Sequence, residues 1–533
     1  MRYSICRPGV FAYMDSWGSS VFFSLSTKKL TANLTINGQR LPVEDNPTYL
    51  GITFDKRLTW KTQTGRTESK AKSRLTLMKK ISSTNWGADE KILKKLYVGR
   101  VRPTLEYGVT AWGSAAKFNL SKTSKVQNQA ARIITGAIKS TPIQELETTT
   151  GLQSIETRRD TNILCQAVKY IRFPNHPMHE RINKRNKKTR LKRCSFTHQT
   201  ILLEKEDAEL ERQEPIPIPV TLEKPVWRGH HKPTIRCTIP GILYKEDQSG
   251  PVMKALTLEY IQEHFPRDTW TRVFTDGSAD KAVRNGGAGV YIQYPEGEEE
   301  QISTPTGHFS SNYNAEVMAL LQGAKRVLES PHTASKVVFL SDAKSVLQAV
   351  HANKDKELDY LFGTLYTLTE THETVLQWIP AHCGIVGNET ADKLAKEGSK
   401  KDQQSSSTTY KEAKHIIKQY QQRKWADQHP TYNKCDPYYE LDRSEQVLIF
   451  RLRTGHNRMN HHIFTKFKIG STDQCPCAAG AMTAEHLLQT CPLYKVLRKR
   501  FWSQPTSLQN KLFGCLDDLR RTATFARETQ ATI

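Results

Sequence analysis

The sequence has no apolar run long enough to cross a membrane. No stretch of about 18 or more consecutive apolar residues occurs in the chain, and a membrane-spanning helix needs roughly that length. The residues from Met1 to Met14 contain no apolar segment followed by a small-residue cleavage site, so they do not predict a secretory signal. We therefore expect no membrane partner and an intracellular location, in the cytoplasm, the nucleus or both.

Cysteine is scarce, with 10 residues in a chain of 533. Only Cys475, Cys477 and Cys491 lie close together in the sequence. Disulfide-rich frameworks have many cysteines at regular intervals, and this chain does not. The pattern favours a reducing compartment and one local metal site.

Acidic residues are fewer than basic ones: the chain has 54 Asp and Glu and 78 Lys and Arg, which gives a net charge of +24. An excess of this size favours a polyanionic partner, nucleic acid first among them. Eight of the thirteen residues from Arg181 to Arg193 are basic and none is acidic. This run is either a solvated linker or a nucleic-acid or nuclear-localisation patch. In the second case its candidate contacts are Lys184, Arg185, Lys187 and Lys188.

Patterning divides the chain into four segments. Residues 1–171 are mixed and then helical, with short strands expected at Leu34–Ile36 and Tyr49–Phe54, a turn at Asn37-Gly38 and a helix near Ser121–Ile138. Residues 172–265 are basic and then proline-rich, which predicts a largely disordered linker. Residues 266–400 regain clear strand and helix signals, and residues 405–533 read as mostly helical around a small Cys/His cluster.

The segment 266–400 has the element order βββαβαβα. Strands are expected at Arg272–Thr275, Ala288–Tyr294, Gln301–Thr306, Val337–Leu340 and Val375–Ile379. Helices are expected at Asn314–Leu328, at 343–351, at 355–370 and at Glu389–Glu397. The order predicts an α/β domain with a mixed five-stranded sheet flanked by helices.

Four carboxylates in this segment occupy informative positions. Asp276 is predicted to end the first strand and Asp342 to follow the buried fourth strand. Glu316 lies near the start of the long helix, and Asp392 lies in the last helix. Each lies beside a small residue that would let another backbone approach: Gly277, Ala315, Ala343 and Ala391.

A single acid at a helix start or a strand end needs no special explanation, because the helix dipole and solvent favour it there. Four carboxylates that converge in apolar surroundings would repel one another and be forced to protonate. Divalent cations remove that penalty, and oxygen ligands suit Mg²⁺ or Mn²⁺. The set therefore predicts a site for two such ions, which can support in-line phosphoryl displacement.

These residues also carry a resemblance. The motifs Thr-Asp-Gly-Ser at 275–278, Asn-Ala-Glu at 314–316, Ser-Asp at 341–342 and His-Cys-Gly-Ile-Val-Gly-Asn-Glu-Thr-Ala-Asp at 382–392 are similar in order and spacing to type-1 ribonuclease H. The resemblance implies cleavage of the RNA strand of RNA–DNA hybrids. It implies that Asp276, Glu316, Asp342 and Asp392 bind two metal ions, with Asp276 bridging both.

His382 matches the mobile histidine of the same family, which is thought to assist product release or proton transfer. Family members often carry two adjacent asparagines before the helix glutamate, whereas this chain has Asn312 followed by Tyr313. Tyr313 either stacks on substrate or packs. Contacts that tell RNA from DNA through the 2′-hydroxyl are expected near Gly277, Ser278 and Asn312. Asn388 is predicted to cap the last helix.

The N-terminal segment resembles the region after the catalytic palm of jockey-like non-LTR retrotransposon reverse transcriptases. The motifs are Tyr-Leu-Gly-Ile-Thr-Phe-Asp at 49–55, Leu-Glu-Tyr-Gly at 105–108 with Trp112, and Arg-Ile-Ile-Thr-Gly at 132–136. The polymerase signature Tyr-x-Asp-Asp is absent, since Tyr13-Met14-Asp15-Ser16 lacks the second acid. We expect no polymerase activity and a thumb-like helical remnant that at most grips duplex.

A Cys475-x-Cys477 motif lies near the C-terminus and is followed by His486 and Cys491. Three thiolates and an imidazole suit tetrahedral Zn²⁺, and similar knuckles follow the ribonuclease H domain in such retroelement polyproteins. The alternative is a set of ordinary buried cysteines in a helical domain.

Two other readings of the whole chain remain open. The first is a catalytically inactive nucleic-acid-binding relic of a retroelement. The second is a transposase or integrase of the same sheet topology. Such proteins lack an acid on the first helix and the His-Cys-Gly loop, so Glu316 and His382 disfavour it.

Overall fold

The computed structural model describes residues 4–7, 10–14, 20–23, 35–36, 39–40, 42–184, 194–206, 210, 214–218, 232–242, 249–280, 283–353, 356–403 and 407–533. The chain forms two compact units. Met1–Ile163, Thr189–Phe196 and Gln421–Ile533 belong to the first, which we call the helical unit. Leu164–Lys188 and Thr197–Tyr420 belong to the second, the sheet unit. No helix in these described ranges combines the length and apolar character that a membrane crossing requires.

The sheet unit is built on a mixed sheet with helices on both faces. Its strands are β1 (Thr234–Arg236), β2 (Thr271–Asp280), β3 (Arg284–Gln293), β4 (Glu299–Gly307), β5 (Lys336–Ser341) and β6 (Glu373–Trp378). The strand order is β4-β3-β2-β5-β6-β1. Strands β2, β3 and β4 are antiparallel neighbours, whereas β2, β5, β6 and β1 run parallel.

Five helices cover this sheet: α1 (Gly250–His264), α2 (Asn312–Glu329), α3 (Lys344–Ala352), α4 (Asp359–Thr371) and α5 (Val386–Lys400). Helices α2, α3 and α4 bury residues such as Leu320, Leu347 and Phe362 against one face of the sheet. Helices α1 and α5 bury Ile261 and Leu394 against the other. Strand β5, buried on both faces, reads Lys-Val-Val-Phe-Leu-Ser, as expected for a parallel strand between two helical layers.

Two elements of this unit correct the prediction of a disordered linker over residues 172–265. Helix α1 buries Met253, Thr257 and Ile261, which recur at helical spacing. Strand β1 pairs with Val375–Gln377 and adds a sixth strand to a sheet that was predicted to have five. The basic and proline-rich average of the segment concealed these short apolar patterns.

The proline run and the basic run of the same segment have different outcomes. Glu214–Pro215 pairs in parallel with Ser407–Thr408 as a short two-stranded sheet. Lys184 ends the helix Pro177–Asn183 and forms an exposed ion pair with Glu180. Arg185, Lys187 and Lys188 lie outside the described residues, so a nucleic-acid role for this run stays a prediction.

The helical unit is dominated by helices. The longest lie at Lys61–Lys80, Lys117–Thr135, Arg443–Thr454 and Leu516–Glu528, with shorter ones at Glu90–Leu96, Arg102–Glu106, Val109–Trp112, Ile143–Thr150, Asn460–His462, Lys495–Phe501 and Leu508–Phe513. The helices Ile155–Ile171, Phe196–Glu204 and Tyr410–Gln428 begin in one unit and end in the other. The predicted helix Ser121–Ile138 is observed as Lys117–Thr135, which ends at Gly136 with φ +67°.

The predicted strand Tyr49–Phe54 is instead a hairpin. Thr48–Tyr49 pairs antiparallel with Ile52–Thr53. The two residues between these strands, Leu50 and Gly51, have φ values of +47° and +76°, as a two-residue hairpin turn requires. Thr35–Ile36 pairs with Gln39–Arg40, whereas Leu34 and the Asn37-Gly38 turn lie outside the described residues.

The segments 1–171 and 405–533 were predicted as separate domains, yet residues of both share one core. Ala131 and Leu146 pack in one cluster with Ile449, Phe450 and Leu519. The side chains of Arg443 and Arg451 are buried. Arg443 donates to the carbonyl of Ile133 and Arg451 donates to the carbonyl of Gly136, each at 2.8 Å, at the end of helix Lys117–Thr135. Such contacts satisfy carbonyls that a helix end leaves unpaired.

Candidate active site

Three carboxylates meet where β2, β5 and α2 come together. One oxygen from each of Asp276, Glu316 and Asp342 lies within 4.8 Å of the others. Asp276 lies within β2, which continues to Asp280, so the prediction that it ends the strand is wrong. Asp342 directly follows β5 as predicted. Strand β5 pairs in parallel with β2, so Asp342 and Asp276 reach the same edge of the sheet.

Close backbone packing brings Glu316 to this edge. A Cβ at Gly277 would lie 2.2 Å from the backbone nitrogen of Glu316 and 2.6 Å from the carbonyl carbon of Ala315. Only glycine leaves room for helix α2 at this distance. The Ser311 side chain caps this helix by accepting from the backbone N–H of Asn314 at 3.1 Å, which fixes where the first turn begins.

Burial makes this cluster costly to ionise. Asp276 is 7% exposed. Desolvation, followed by the charges of Asp342 and Asp392, raises its pKa to about 7. Desolvation and the charges of Asp276 and Asp342 also raise the pKa of Glu316 well above its ordinary value. Among the described residues, nothing hydrogen-bonds to the buried Oε2 atom of Glu316.

Asp392 lies on helix α5, beside this group but not within it. Its charge raises the pKa of Asp276, so the two side chains are close. Its Oδ2 atom accepts from the Nζ of Lys396, one turn further along the helix, at 2.6 Å. The structure thus brings three of the four predicted acids into one cluster and places the fourth at its border.

Helix α5 reaches the site because two glycines of β3 let it approach. A Cβ at Gly289 would lie 2.0 Å from the carbonyl oxygen of Ala391, and one at Gly287 would lie 2.1 Å from that of Ala395. The Oγ of Ser303 donates to the carbonyl of Leu394 at 2.8 Å. The helix therefore lies directly on the sheet backbone, with Asp392 turned toward the edge that carries Asp276.

Asn388 is a residue whose place the sequence analysis missed. It was predicted to cap the last helix, but α5 begins at Val386 and Ile385 is the N-cap. Asn388 is buried within the first turn, and its Nδ2 donates to Asp342 Oδ2 at 3.2 Å. Asn388 and Asp392 are four residues apart, so their side chains lie on one face of the helix. This spacing is the sequence signal that could have placed Asn388 at the site.

His382 lies in the loop between β6 and α5. It is exposed and has φ +52°, while the next residue, Cys383, donates its thiol to the carbonyl of Pro380 at 3.3 Å. Asn312 is the first residue of α2 and is exposed, and Gly277 and Ser278 are partly buried on β2. Tyr313 packs against the core, and the Nζ of Lys411 lies 5.1 Å from its ring centre.

The cysteine cluster gathers in the helical unit. Atoms of Cys475, Cys477, His486 and Cys491 all lie within 4.8 Å of one another. The Sγ atoms of Cys475 and Cys491 are 3.7 Å apart, too far for a disulfide. Tetrahedral Zn–S bonds of about 2.3 Å place two sulfurs about 3.8 Å apart.

The imidazole of His486 is oriented for such a site. Its Nε2 lies 3.1 Å from Cys477 Sγ, and its Nδ1 lies 3.1 Å from Thr490 Oγ1. Metal-binding histidines use their second ring nitrogen in this way.

Comparisons with known proteins concern the sheet unit. A family model for RNase H matches residues 268–400. The ribonuclease H of Orientia tsutsugamushi (strain Boryong) is 30% identical over 137 residues, which cover 24% of this chain and 80% of that protein. The probable RNA-directed DNA polymerase from transposon BS of Drosophila melanogaster is 32% identical over 114 residues, covering 21% of this chain and 13% of that protein.

Among solved structures, the N-terminal RNase H domain of a Mycobacterium tuberculosis protein is similar at 20% identity and a TM-score of 0.21. This match covers 25% of this chain and 94% of that one.

Proposed function

Because this chain belongs to the ribonuclease H family, we propose that its sheet unit hydrolyses the RNA strand of RNA–DNA hybrids with two divalent metal ions. The observation that carries the proposal is the cluster of the buried Asp276 with the partly buried Glu316 and Asp342, whose oxygens lie within 4.8 Å of one another. The buried Glu316 Oε2, without a hydrogen-bond partner among the described residues, fits a site that is completed by a cation.

The donor set fits Mg²⁺ or Mn²⁺, since it consists of carboxylate oxygens without thiolates or imidazoles. Asp276, Glu316, Asp342 and Asp392 would hold the ions. When bound, the ions would activate a water molecule and stabilise the leaving 3′-oxygen. Asn388 would hold Asp342 in one orientation, and Lys396 would release Asp392 as a cation competes for it.

The remaining roles fall on residues at the rim. His382, on an exposed loop, would take up or give a proton near the leaving group, since an imidazole can both accept and donate a proton. Gly277, Ser278 and Asn312 would contact the sugar–phosphate backbone of the hybrid. Tyr313 is better placed to pack than to stack on a base, because it lies on the hydrophobic core.

The test uses the purified 533-residue chain and a hybrid of about 20 base pairs whose RNA strand is labelled. With Mg²⁺ the RNA strand should be cut and the DNA strand left intact, and EDTA should stop the reaction. The Asp276→Asn variant should fall to background, because it removes one of the carboxylates that would hold the ions. Hybrid binding without cleavage in Mg²⁺ and Mn²⁺ would instead support the inactive relic.

We propose separately that the Cys475, Cys477, His486 and Cys491 cluster binds one structural Zn²⁺ ion. Three thiolates and one imidazole form a closed tetrahedral donor set. The distances between the sulfurs and the hydrogen bond of His486 to Thr490 support this proposal.

The origin we propose is a jockey-like retroelement polyprotein. Its support is the similarity to the transposon polymerase together with the reverse-transcriptase motifs of the N-terminal segment. We propose that the chain does not extend DNA, because the Tyr-x-Asp-Asp signature of nucleotide addition is absent from the sequence. Primer extension by the purified chain would contradict this.

A further inference from the structure

Glu412 is a buried acid that lies beyond the family-matched segment 268–400. It belongs to the first turn of helix Tyr410–Gln428 and is 1% exposed. Burying a carboxylate costs free energy unless hydrogen-bond donors satisfy it. The donors to Glu412 come from the starts of two different helices.

One oxygen of Glu412 serves its own helix. Its Oε2 accepts from the backbone N–H and the hydroxyl of Thr409, at 2.9 and 3.0 Å. The backbone N–H of Glu412 donates in return to the Thr409 hydroxyl at 3.2 Å. These reciprocal bonds form the Thr-x-x-Glu capping box, which is a local property of the sequence and accounts for half of the carboxylate.

The other oxygen serves helix α2. The Oε1 atom of Glu412 accepts from the backbone N–H of Ser311 at 2.7 Å and from its hydroxyl at 3.2 Å. Ser311 is the N-cap of α2 and lies 101 residues earlier in the chain. Capping of its own helix does not require this contact. One carboxylate thus joins two helix starts, where the helix dipoles favour a negative charge.

Helix α2 carries two residues of the proposed active site close to this contact. Asn312 follows Ser311 directly, and Glu316 lies about 7–8 Å further along the helix at 1.5 Å per residue. Groups that bind metal or substrate must be held to within about 0.5 Å by their surroundings. A shift of the helix start would therefore displace both residues.

The start of the helix that carries Glu412 is itself fixed within the sheet unit. The buried side chain of Arg172 donates from Nη2 to the carbonyl of Thr408 at 2.9 Å. The backbone N–H of Tyr410 donates to Glu357 Oε1 at 2.6 Å. Glu412 is therefore a rigid support for Ser311.

We propose that Glu412 is a positioning residue, which holds the start of helix α2 and through it Asn312 and Glu316. The inference rests on the proposed function, since it concerns the same site, and it extends that site beyond residue 400. Glu412 acts on metal and hybrid binding through Ser311 and touches neither metal nor hybrid.

The first test is Glu412→Gln in the 533-residue chain. Glutamine keeps the size of the side chain but replaces one accepting oxygen by an N–H donor, so it cannot satisfy both helix starts. The Mg²⁺ concentration for half-maximal cleavage should rise about tenfold, and KM for a hybrid of about 20 base pairs should rise with it. At saturating Mg²⁺, kcat should change less than about threefold. Unchanged Mg²⁺ dependence and KM would overturn the proposal.

The second measurement does not depend on catalysis. Hydrogen exchange in the metal-free chain should be faster at the amides of residues 311–316 in Glu412→Gln than in wild type, because the Ser311 N–H loses its acceptor. Unchanged exchange there would overturn this inference alone. A wild-type chain that neither cleaves the hybrid nor is stabilised by Mg²⁺ would overturn the proposed function, and this inference with it.

The matched control is Glu445→Gln. Glu445 is also buried, and its Oε2 accepts from the backbone N–H of Asp442 at 3.2 Å in the capping box of helix Arg443–Thr454. This helix belongs to the helical unit. The control should lose stability through the same kind of bond but keep the wild-type Mg²⁺ dependence and α2 exchange. Equal Mg²⁺ shifts in the two variants would contradict the proposal.

A milder variant guards against misfolding of Glu412→Gln. Ser311→Ala removes one hydroxyl at a partly buried position and keeps the backbone bond to Glu412. It should raise the half-maximal Mg²⁺ concentration by a smaller factor than Glu412→Gln. Because both changes act on one contact, the double variant should show less than the product of the two single effects. Effects that multiply fully would show that the two residues act independently and would contradict the proposal.

Discussion

Asp276 and Glu316 set the pH response of the metal-free site. The pKa of Asp276 is raised to about 7, and that of Glu316 is also raised. A carboxyl with a higher pKa in the folded state binds more protons when folded. Its stabilising contribution is therefore complete below about pH 4 and is lost as the pH rises through about 7.

We therefore predict that the metal-free sheet unit melts at a lower temperature at about pH 7 than at about pH 5. Added Mg²⁺ should abolish the difference, since the ion stabilises the ionised carboxylates. Thermal unfolding at both pH values, with EDTA or with Mg²⁺, measures this. The Asp276→Asn variant is the control and should show a smaller pH dependence, and an unchanged dependence in that variant would assign the effect to other groups.

Asn388 is expected to act through Asp342. Its Nδ2 donates to Asp342 Oδ2 at 3.2 Å, and residues that orient a metal ligand typically change metal affinity by about 10- to 100-fold. Asn388→Ala should raise the Mg²⁺ concentration for half-maximal cleavage by about tenfold, while saturating Mg²⁺ restores most of the rate. A lowered maximal rate with unchanged Mg²⁺ dependence would show that Asn388 contacts substrate instead.

At the scale of elements, the site depends on how closely helix α5 lies on strand β3. Gly289→Ala would place a methyl group 2.0 Å from the carbonyl oxygen of Ala391. The helix must then shift, at a cost of about 1–3 kcal/mol, and Asp392 shifts with it. We predict a lower free energy of unfolding and reduced cleavage, measured by denaturant titration and hybrid hydrolysis.

Gly363 is the matched control for this prediction. It lies in helix α4 and a Cβ there would have nothing within 4 Å. Gly363→Ala should leave cleavage unchanged and hold or raise the free energy of unfolding, by up to about 1 kcal/mol. If both variants lose stability equally, close packing at Gly289 is not the cause.

Most element types followed from periodicity, but helix α1 of the sheet unit and the hairpin Thr48–Thr53 of the helical unit did not. Helix α1 was missed although Met253, Thr257 and Ile261 recur at helical spacing, because the basic and proline-rich residues around it suggested a linker. The hairpin Thr48–Thr53 was read as one strand, since its turn contains Leu50, and a leucine with φ +47° is rarely expected.

At the scale of the whole molecule, the helical unit is closed by residues from both ends of the chain. The cluster of Cys475, Cys477, His486 and Cys491 and the helix Arg443–Thr454 both belong to the C-terminal segment of this unit. Arg443 and Arg451 of that helix bond to carbonyls near the end of helix Lys117–Thr135. Loss of zinc should therefore destabilise this unit more than the sheet unit.

We predict that Cys477→Ser removes about one zinc ion per chain and lowers one of two thermal transitions. Mg²⁺-dependent cleavage below that transition should change less than about twofold, since the carboxylates belong to the other unit. Metal analysis and calorimetry measure the first two effects. The control is Cys435→Ser, because Cys435 is exposed and lies outside the cluster. Equal zinc content in wild type and Cys477→Ser would contradict the zinc site.

The sequence by itself determined which residues are proposed to carry the chemistry. Asp276, Glu316 and Asp342 could be named because strand periodicity, helix periodicity and motif spacing are local properties of the chain. The same holds for the cysteine cluster, whose members lie within 17 consecutive residues.

Only the tertiary structure decided how these residues are supported. Three features connect segments that are far apart in sequence. They are the contact of Asn388 with Asp342, the pairing of the sixth strand, and the core shared by the two ends of the chain. Packing of this sort depends on which surfaces meet in space, and periodicity along the chain does not record it.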